Sequence, residues 1–179
     1  EEKVGAIVVT TGFDMMEKEK LPEYCYGNPR DVITGLQFER LLSASGPTGG
    51  HVTRPSDGQP ARRIAFLQCV GSRDQSHDYC SAVCCMYAAK EAIMACEHDP
   101  ETRPHVFMMD MRAFSKGYEA YYQRARQQYG IEYTRCRVSE VREDPETGDL
   151  LVLYATPRGD GRLSEEPFDL VVLSVGMEI

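Results

Sequence analysis

The sequence predicts an α/β fold: a parallel sheet with an antiparallel β-meander added towards its end. Three observations predict it. From Ile64 to Cys136, short apolar runs alternate with longer helical stretches, a rhythm that implies a parallel sheet wound with right-handed crossovers. Between Val138 and Phe168, three short stretches alternate apolar and polar residues, with turn residues between them, as antiparallel strands do. The apolar run Phe168-Asp-Leu-Val-Val-Leu-Ser-Val-Gly176 then reads as a last, fully buried strand that closes the parallel sheet.

Taken in order, Val4-Gly-Ala-Ile-Val-Val-Thr-Thr-Gly12 reads as a buried parallel strand ending in a tight glycine turn. Residues 1–13 are therefore set apart as one strand-bearing segment. Residues 14–62 form a polar, turn-rich connector, with turns at Asn28-Pro29 and Gly46-Pro47. Inside it Thr34-Gly-Leu-Gln37 is a capping box that opens a short helix, Leu36 to Leu42. Leu36, Leu41 and Leu42 are its expected apolar face. Cys25 stands alone and is given no function.

Residues 63–179 form the main unit. A strand at Ile64–Gln68 leads to a helix from about Ser81 to Glu97. His105–Asp110 is the next strand. The second helix runs from about Ser115 to Tyr129, with Ser115 as N-cap and Gly130 as C-cap. Ile131–Cys136 is the third strand. The meander follows at Val138–Arg142, Leu150–Ala155 and about Arg162–Phe168, with turns at Glu146–Gly148 and Pro157–Gly159.

Chemistry concentrates at the end of the first central strand. Cys69, Cys80, Cys84 and Cys85 follow the spacing C-x10-C-x3-C-C. They lie at the carboxyl end of a strand and the amino end of a helix, where open α/β folds place ligands. Thiolates are soft ligands, and four of them complete a zinc or an iron–sulfur site. Cys80 and Cys84 share a face at helical spacing, while Cys85 is turned about 100° from Cys84. A small zinc ion is hard to reach from both members of an adjacent pair, and no C-x-x-C chelate is present. The helix amino terminus is expected to lower the thiol pKa values. Spacing alone leaves three occupants open: a cluster, a zinc ion, or free or redox-active thiols.

These residues carry a resemblance. Phe66-Leu-Gln-Cys-Val-Gly-Ser-Arg-Asp74, Tyr79-Cys-Ser-Ala-Val-Cys-Cys-Met-Tyr87 and Phe38-Glu-Arg-Leu-Leu-Ser-Ala-Ser-Gly-Pro-Thr-Gly-Gly50 resemble the A subunit of heterodisulfide reductase and its homologues, over nearly the whole chain. That family is an FAD flavoprotein with several [4Fe-4S] clusters. The resemblance implies a [4Fe-4S] cluster on Cys69, Cys80, Cys84 and Cys85. It also implies a Rossmann-like unit resembling the pyridine-nucleotide domain of thioredoxin-reductase-like flavoproteins. Residues 1–13 become a strand of an adjoining FAD domain, and Thr11, Gly12 and Gly176 approach FAD. Thr10 and Ser174 replace the alanine usual before such a motif, and Ser174-Val-Gly176 departs the more.

A nicotinamide domain needs G-x-G-x-x-G after its first strand to seat pyrophosphate. Here the text is Gln68-Cys-Val-Gly-Ser-Arg73, with the single glycine Gly71. The expectation is a nucleotide crevice taken over by a cluster, and Asp110 is read as a strand-end residue, not a ribose ligand. The implied role is electron relay between FAD and other centres within a multi-subunit redox complex, the parent protein being an oxidoreductase. FAD is expected to stay with the parent, and the isolated piece to be inactive. The alternative is a degenerate docking or structural domain with zinc or free thiols. A dithiol oxidoreductase working through Cys84-Cys85 is disfavoured, because an adjacent pair makes a strained disulfide.

Composition bounds the rest. The chain has 179 residues, 42% of them apolar, enough for a core in one domain or one domain plus part of another. A net charge of −8 disfavours nucleic acid and anionic membranes as partners. No apolar run approaches the ~20 residues of a membrane span, and no secretory signal is seen. Seven cysteines without a disulfide-scaffold pattern suit a reducing, cytoplasmic setting. Starting at Glu1 and stopping just past a strand, the chain is expected to be an internal piece of a longer protein. His51, His77, His98 and His105 are read as loop or element-end residues, and Cys96 and Cys136 as packing.

Overall fold

A computed structural model describes residues 2–17, 21–155 and 163–178. Its strands are β1 (Asp14–Met15), β2 (Val32–Thr34), β3 (Arg63–Val70), β4 (Arg103–Met108), β5 (Glu132–Arg135), β6 (Val138–Glu143), β7 (Leu150–Ala155), β8 (Leu163–Phe168), β9 (Leu170–Val175) and β10 (Met177–Glu178). Its α-helices are α1 (Gly35–Leu42), α2 (Cys84–His98) and α3 (Tyr118–Gln128). The expected turn at Pro157–Gly159 and the strand start at Arg162 lie outside the described residues.

The fold is α/β. Five strands form a parallel sheet in the order β2-β9-β3-β4-β5, and β6-β7-β8 form the antiparallel meander. Strand alternation sorts the two faces. On β3, Ile64 and Phe66 face one way and pack with Phe38 and Leu42 of α1, Ala88, Ala92 and Ile93 of α2 and Ala125 of α3. Ala65 and Leu67 face the other way and pack with Val141, Val152, Tyr154 and Phe168 of the meander. The result is three layers, with helices on one face of the central sheet and the meander on the other. The buried alanines of α2 bring that helix close to the sheet, and Phe38 meets Phe66 edge to face at 5.3 Å between ring centroids.

The 14–62 segment joins the sheet through edge strand β2, parallel to β9. The Thr34 capping box is formed, with Gln37 N–H donating to Thr34 Oγ1 at 3.3 Å and Thr34 N–H to Gln37 Oε1 at 2.8 Å. The helix it opens buries Phe38 and Leu42, while Leu36 is exposed. The buried pair is spaced i, i+4, and Leu36 falls off that stripe.

Two further expectations change. Helix α3 is capped by Gly117, not Ser115, whose carbonyl instead closes a turn with Tyr118 N–H at 3.1 Å. The run Val4–Gly12 forms no strand among the described residues, and Ile7 and Val8 are more than 80% exposed. An apolar run becomes a strand only where a neighbour takes up its backbone groups, and neither β2 nor β5 pairs with it. Just beyond it, β1 pairs antiparallel with β10, which lays a short ribbon beside the carboxyl end of the sheet.

Candidate metal centre

Strand order reverses between β3 and β9, which makes their carboxyl ends the topological switch point of the sheet. The register between them slips from Leu67 to Val70. This bulge holds Cys69 in the left-handed region, at φ 60°. Gly176, just past β9, donates its N–H to Val70 O at 2.8 Å. A Cβ on Gly176 would meet Gly71 O at 3.0 Å, so the two loops press together there.

The ten residues between Cys69 and Cys80 fold back on themselves. Arg73 N–H donates to Tyr79 O and Asp74 N–H to His77 O, each at 3.1 Å. The Asp74 carboxylate accepts the N–H groups of Ser76 and His77, each at 2.8 Å. Cys80 is held from both sides against the ribbon. Tyr79 donates its hydroxyl to Met177 O at 3.0 Å, and Met177 N–H donates to Ser81 Oγ at 3.1 Å. His77 Nε2 lies 3.4 Å from Glu178 Oε1. Cys69, Arg73 and Ala82 all have positive φ, a concentration of unfavourable backbone that points to a functional loop.

Helix α2 begins at Cys84 with no side-chain cap at Val83, so its first N–H groups stay available to a ligand. Ala82 N–H already points at Cys80 Sγ, at 3.3 Å. Cys80 is exposed, Cys69 is half-buried, and Cys84 and Cys85 are each 7% exposed.

The structure brings all four sequence-predicted thiols within electrostatic reach of one another. Cys84 feels Cys69 and Cys80, and Cys85 feels the other three. The helix amino terminus does not lower Cys84 or Cys85. Burial pushes Cys84 up and Cys85 up to about 11, and the neighbouring sulfurs add to it. Burial also raises Cys69, against the opposing pull of Arg73. Desolvation outweighs the dipole here. Among the described residues, no three His, Cys, Asp or Glu side chains are arranged to hold a metal ion. The donors present, four thiols with uncapped N–H groups and an arginine, have the chemistry for a ligand that is soft, net-negative and broader than a single ion.

Three residues to which sequence reasoning gave no role at the thiols complete the surroundings: Tyr87, Asp110 and Arg112. Tyr87 lies one helical turn beyond Cys84 on the same face of α2. Its ring lies so close to Gly35 that a Cβ there would be 2.9 Å from Tyr87 Cε2. Asp110, two residues past β4, binds the Arg73 guanidinium with both oxygens, at 2.6 and 3.1 Å, and accepts from Arg112 Nε at 3.0 Å. The Cys85 thiol donates to Asp110 O at 3.8 Å. Asp110 is visible in the sequence as a strand-end acid, but nothing local pairs it with Arg73, 37 positions away.

Behind Tyr87 lies an open, mainly apolar cavity of about 210 Å³, lined by Phe13, Met15, Leu36, Leu173 and Met177 among others. Glu91 contributes to its wall, 2% exposed, with no hydrogen-bond partner for Oε2. Burial pushes its carboxyl up to about 9. Beside it Lys90 pairs with Glu39. Of the three residues expected at FAD, Gly176 is buried beside the cysteine loop, whereas Thr11 and Gly12 are exposed and outside it. Their chain neighbours Phe13, Val175 and Met177 all line the cavity. Cys25 and Cys96 donate to Val141 O and Thr102 O, away from the four thiols.

No family model matches the chain. Curated relatives do. The chain is 53% identical over 179 residues to the second iron–sulfur A subunit of CoB–CoM heterodisulfide reductase from Methanopyrus kandleri, covering 99% of this chain and 27% of that protein. It is 47% identical to the A subunit of the H2/formate:CoB-CoM heterodisulfide,ferredoxin reductase of Methanococcus maripaludis, and 46% identical to the iron–sulfur A subunit of CoB–CoM heterodisulfide reductase from Methanocaldococcus jannaschii. Each of these matches covers 98% of this chain and 27% of the relative. The chain thus spans about a quarter of the length of the relatives it matches. Among solved structures, L-lysine 6-monooxygenase from Pseudomonas syringae aligns at 12% identity with a TM-score of 0.49, over 84% of this chain and 41% of that one.

Proposed function

Since the chain belongs to the family of heterodisulfide reductase iron–sulfur A subunits, as a counterpart of about 27% of its members' length, we propose that it is an electron-transfer unit of a flavin- and iron–sulfur-dependent oxidoreductase. Cys69, Cys80, Cys84 and Cys85 would hold a [4Fe-4S] cluster, which supplies one-electron transfer when bound. The residues around the thiols shape that site. The bulge at Cys69 and the clamp on Cys80 hold two thiols that are distant in sequence beside the two on α2, and the uncapped helix offers N–H donors.

The observation that carries this reading is the position of Tyr87. It stands one helical turn from a proposed ligand, Cys84, while its side chain walls the apolar cavity. At about 210 Å³ the cavity is smaller than the ~300 Å³ of a complete small-molecule site. It would take one ring system of a larger cofactor, such as the flavin of FAD. Residues 1–13, Gly176 and the cavity would then meet FAD held mainly by an adjoining domain, with Thr11 and Gly12 brought in by that domain. This explains the exposed apolar run Val4–Val9. Residues 63–179 carry the thiols, and residues 14–62 tie the two units together. Other subunits of a cytoplasmic redox complex would supply and accept the electrons. The chain alone would bind FAD weakly and turn over nothing.

The test is anaerobic purification with iron and sulfide reconstitution, read by metal analysis, visible absorption and EPR before and after dithionite. About four irons and four sulfides per chain, lost in Cys84→Ser, support the proposal. A second reading, a docking domain with free thiols or zinc, draws on the raised thiol pKa values. Absence of iron uptake, or stoichiometric zinc, would establish it instead. Tight FAD binding by the chain alone would overturn the division of the flavin site between domains.

A further inference from the structure

Among the groups around the four sulfurs, one is a permanent charge held in place from outside the cysteine loop. Arg73 sits four residues past Cys69, in the left-handed region at φ 58°. Its backbone N–H closes the neck of the excursion at Tyr79 O. Its guanidinium is gripped by both oxygens of Asp110, at 2.6 and 3.1 Å, and its charge reaches the Cys69 sulfur. Asp110 is anchored to β4, and its carbonyl accepts from Cys85. Arg112 holds the same carboxylate from the far side, at 3.0 and 3.3 Å. Of the two cations, Arg73 is the one whose charge reaches a thiol, Cys69.

We propose that Arg73, locked by Asp110 in the loop that follows Cys69, is the positioning residue that sets the reduction potential of the redox centre held by the four cysteines. This rests on the cluster reading above. Adding one electron to the centre adds one negative charge. A fixed cation in a partly buried site favours that more negative state. A guanidinium keeps its charge at every pH the protein meets, and its planar fork matches the carboxylate that aims it. Lysine would keep the charge but lose the two-pronged lock.

The test is a potentiometric titration of the iron-loaded chain, followed by EPR, in wild type, Arg73→Gln, Arg73→Lys and Arg112→Gln. Arg73→Gln is expected to lower the reduced-to-oxidised ratio at a given poise about tenfold, equivalent to about 59 mV for one electron. Arg73→Lys should fall between it and wild type, and Arg112→Gln should stay near wild type. Arg73→Gln failing to load iron while Arg73→Lys loads it would also support the proposal, since the charge is then needed to hold a net-negative centre. An unshifted potential in Arg73→Gln overturns it, as does an equal shift in Arg112→Gln or failure of both Arg73 variants to load. A wild-type chain that takes up no iron instead refutes the cluster reading itself.

Discussion

A Cβ on Gly71 would stand 1.8 Å from the Sδ of Met16. Gly71 also sits at φ +69°. The turn that carries Cys69 round towards Cys80 therefore needs glycine twice over, once for its backbone and once for the methionine packed on it. Gly71→Ala should cost about 1–2 kcal/mol for the left-handed backbone alone, plus the displacement of Met16. Adding Met16→Ala should relieve the overlap and leave the backbone strain. Urea denaturation of both single variants and the double variant checks this. A Gly71→Ala chain as stable as wild type would contradict the close approach.

Glu91 gives the protein a pH slope that runs opposite to that of a salt-bridged carboxylate. Burial holds its proton up to about pH 9, whereas the unfolded chain releases it near the ordinary glutamate value of 4.5. Its stabilising effect is complete below the unfolded value, shrinks as pH rises between the two, and is gone above about 9. The slope contributed is at most ~1.4 kcal/mol per pH unit. Thermal melts from about pH 5 to 9 should show wild type losing stability relative to Glu91→Gln. Parallel curves would show that the carboxyl is already ionised at neutral pH.

Asp169 works in the other direction. Burial alone would raise its pKa, but the backbone N–H and side chain of Arg63 and the backbone N–H of Arg62 together hold it below the ordinary carboxylate range. These bonds run from 2.6 to 3.0 Å. The stability it provides is present above about pH 4 and is lost as pH falls through the lowered value. Asp169→Asn should cost about 2 kcal/mol at neutral pH, with the difference narrowing in acid. Melts at about pH 7 and about pH 3 would show a constant gap if the carboxylate charge were immaterial.

Thiol labelling separates the cysteines by surroundings. In the folded, metal-free chain Cys80, which is exposed, should react with iodoacetamide first. Cys136 should react last, because it is buried and its thiol is pushed up to about 12. Iron loading should then protect Cys69, Cys80, Cys84 and Cys85 while leaving Cys25 and Cys96 unchanged. Peptide mass spectrometry reads both patterns. Protection of any other set would displace the proposed ligands.

What could be read from the sequence was local. The strands from Ile64 and Leu150, the Thr34–Gln37 box and the cysteine spacing each follow from neighbours a few residues apart. What could not be read depended on distant chain. Val4–Gly12 has the composition of a buried strand, but burial needs a partner, and composition does not reveal one. Leu36 and Phe38 are equally apolar, and only the approach of Phe66 decides which faces inward. The pairing of Arg73 with Asp110 arises from the packing of two loops 37 positions apart. The thiol pKa values turned on the same point, because the helix dipole is legible in sequence and the depth of burial is not.

The bonds that close the neck of the excursion, Arg73 N–H to Tyr79 O and Asp74 N–H to His77 O, separate its length from its purpose. The bulge that carries Cys69 lies before the neck, and the Tyr79 and Ser81 contacts that hold Cys80 lie at or after it. Gln75 and Ser76, at the tip inside the neck, are thus where evolution or an engineer can insert with little effect on the sulfurs, since lengthening a closed loop costs only slowly growing entropy. Peptide tags, labels or recognition segments for different partners could be carried there, a few residues from the proposed redox centre, by a chain whose four thiols stay where they are.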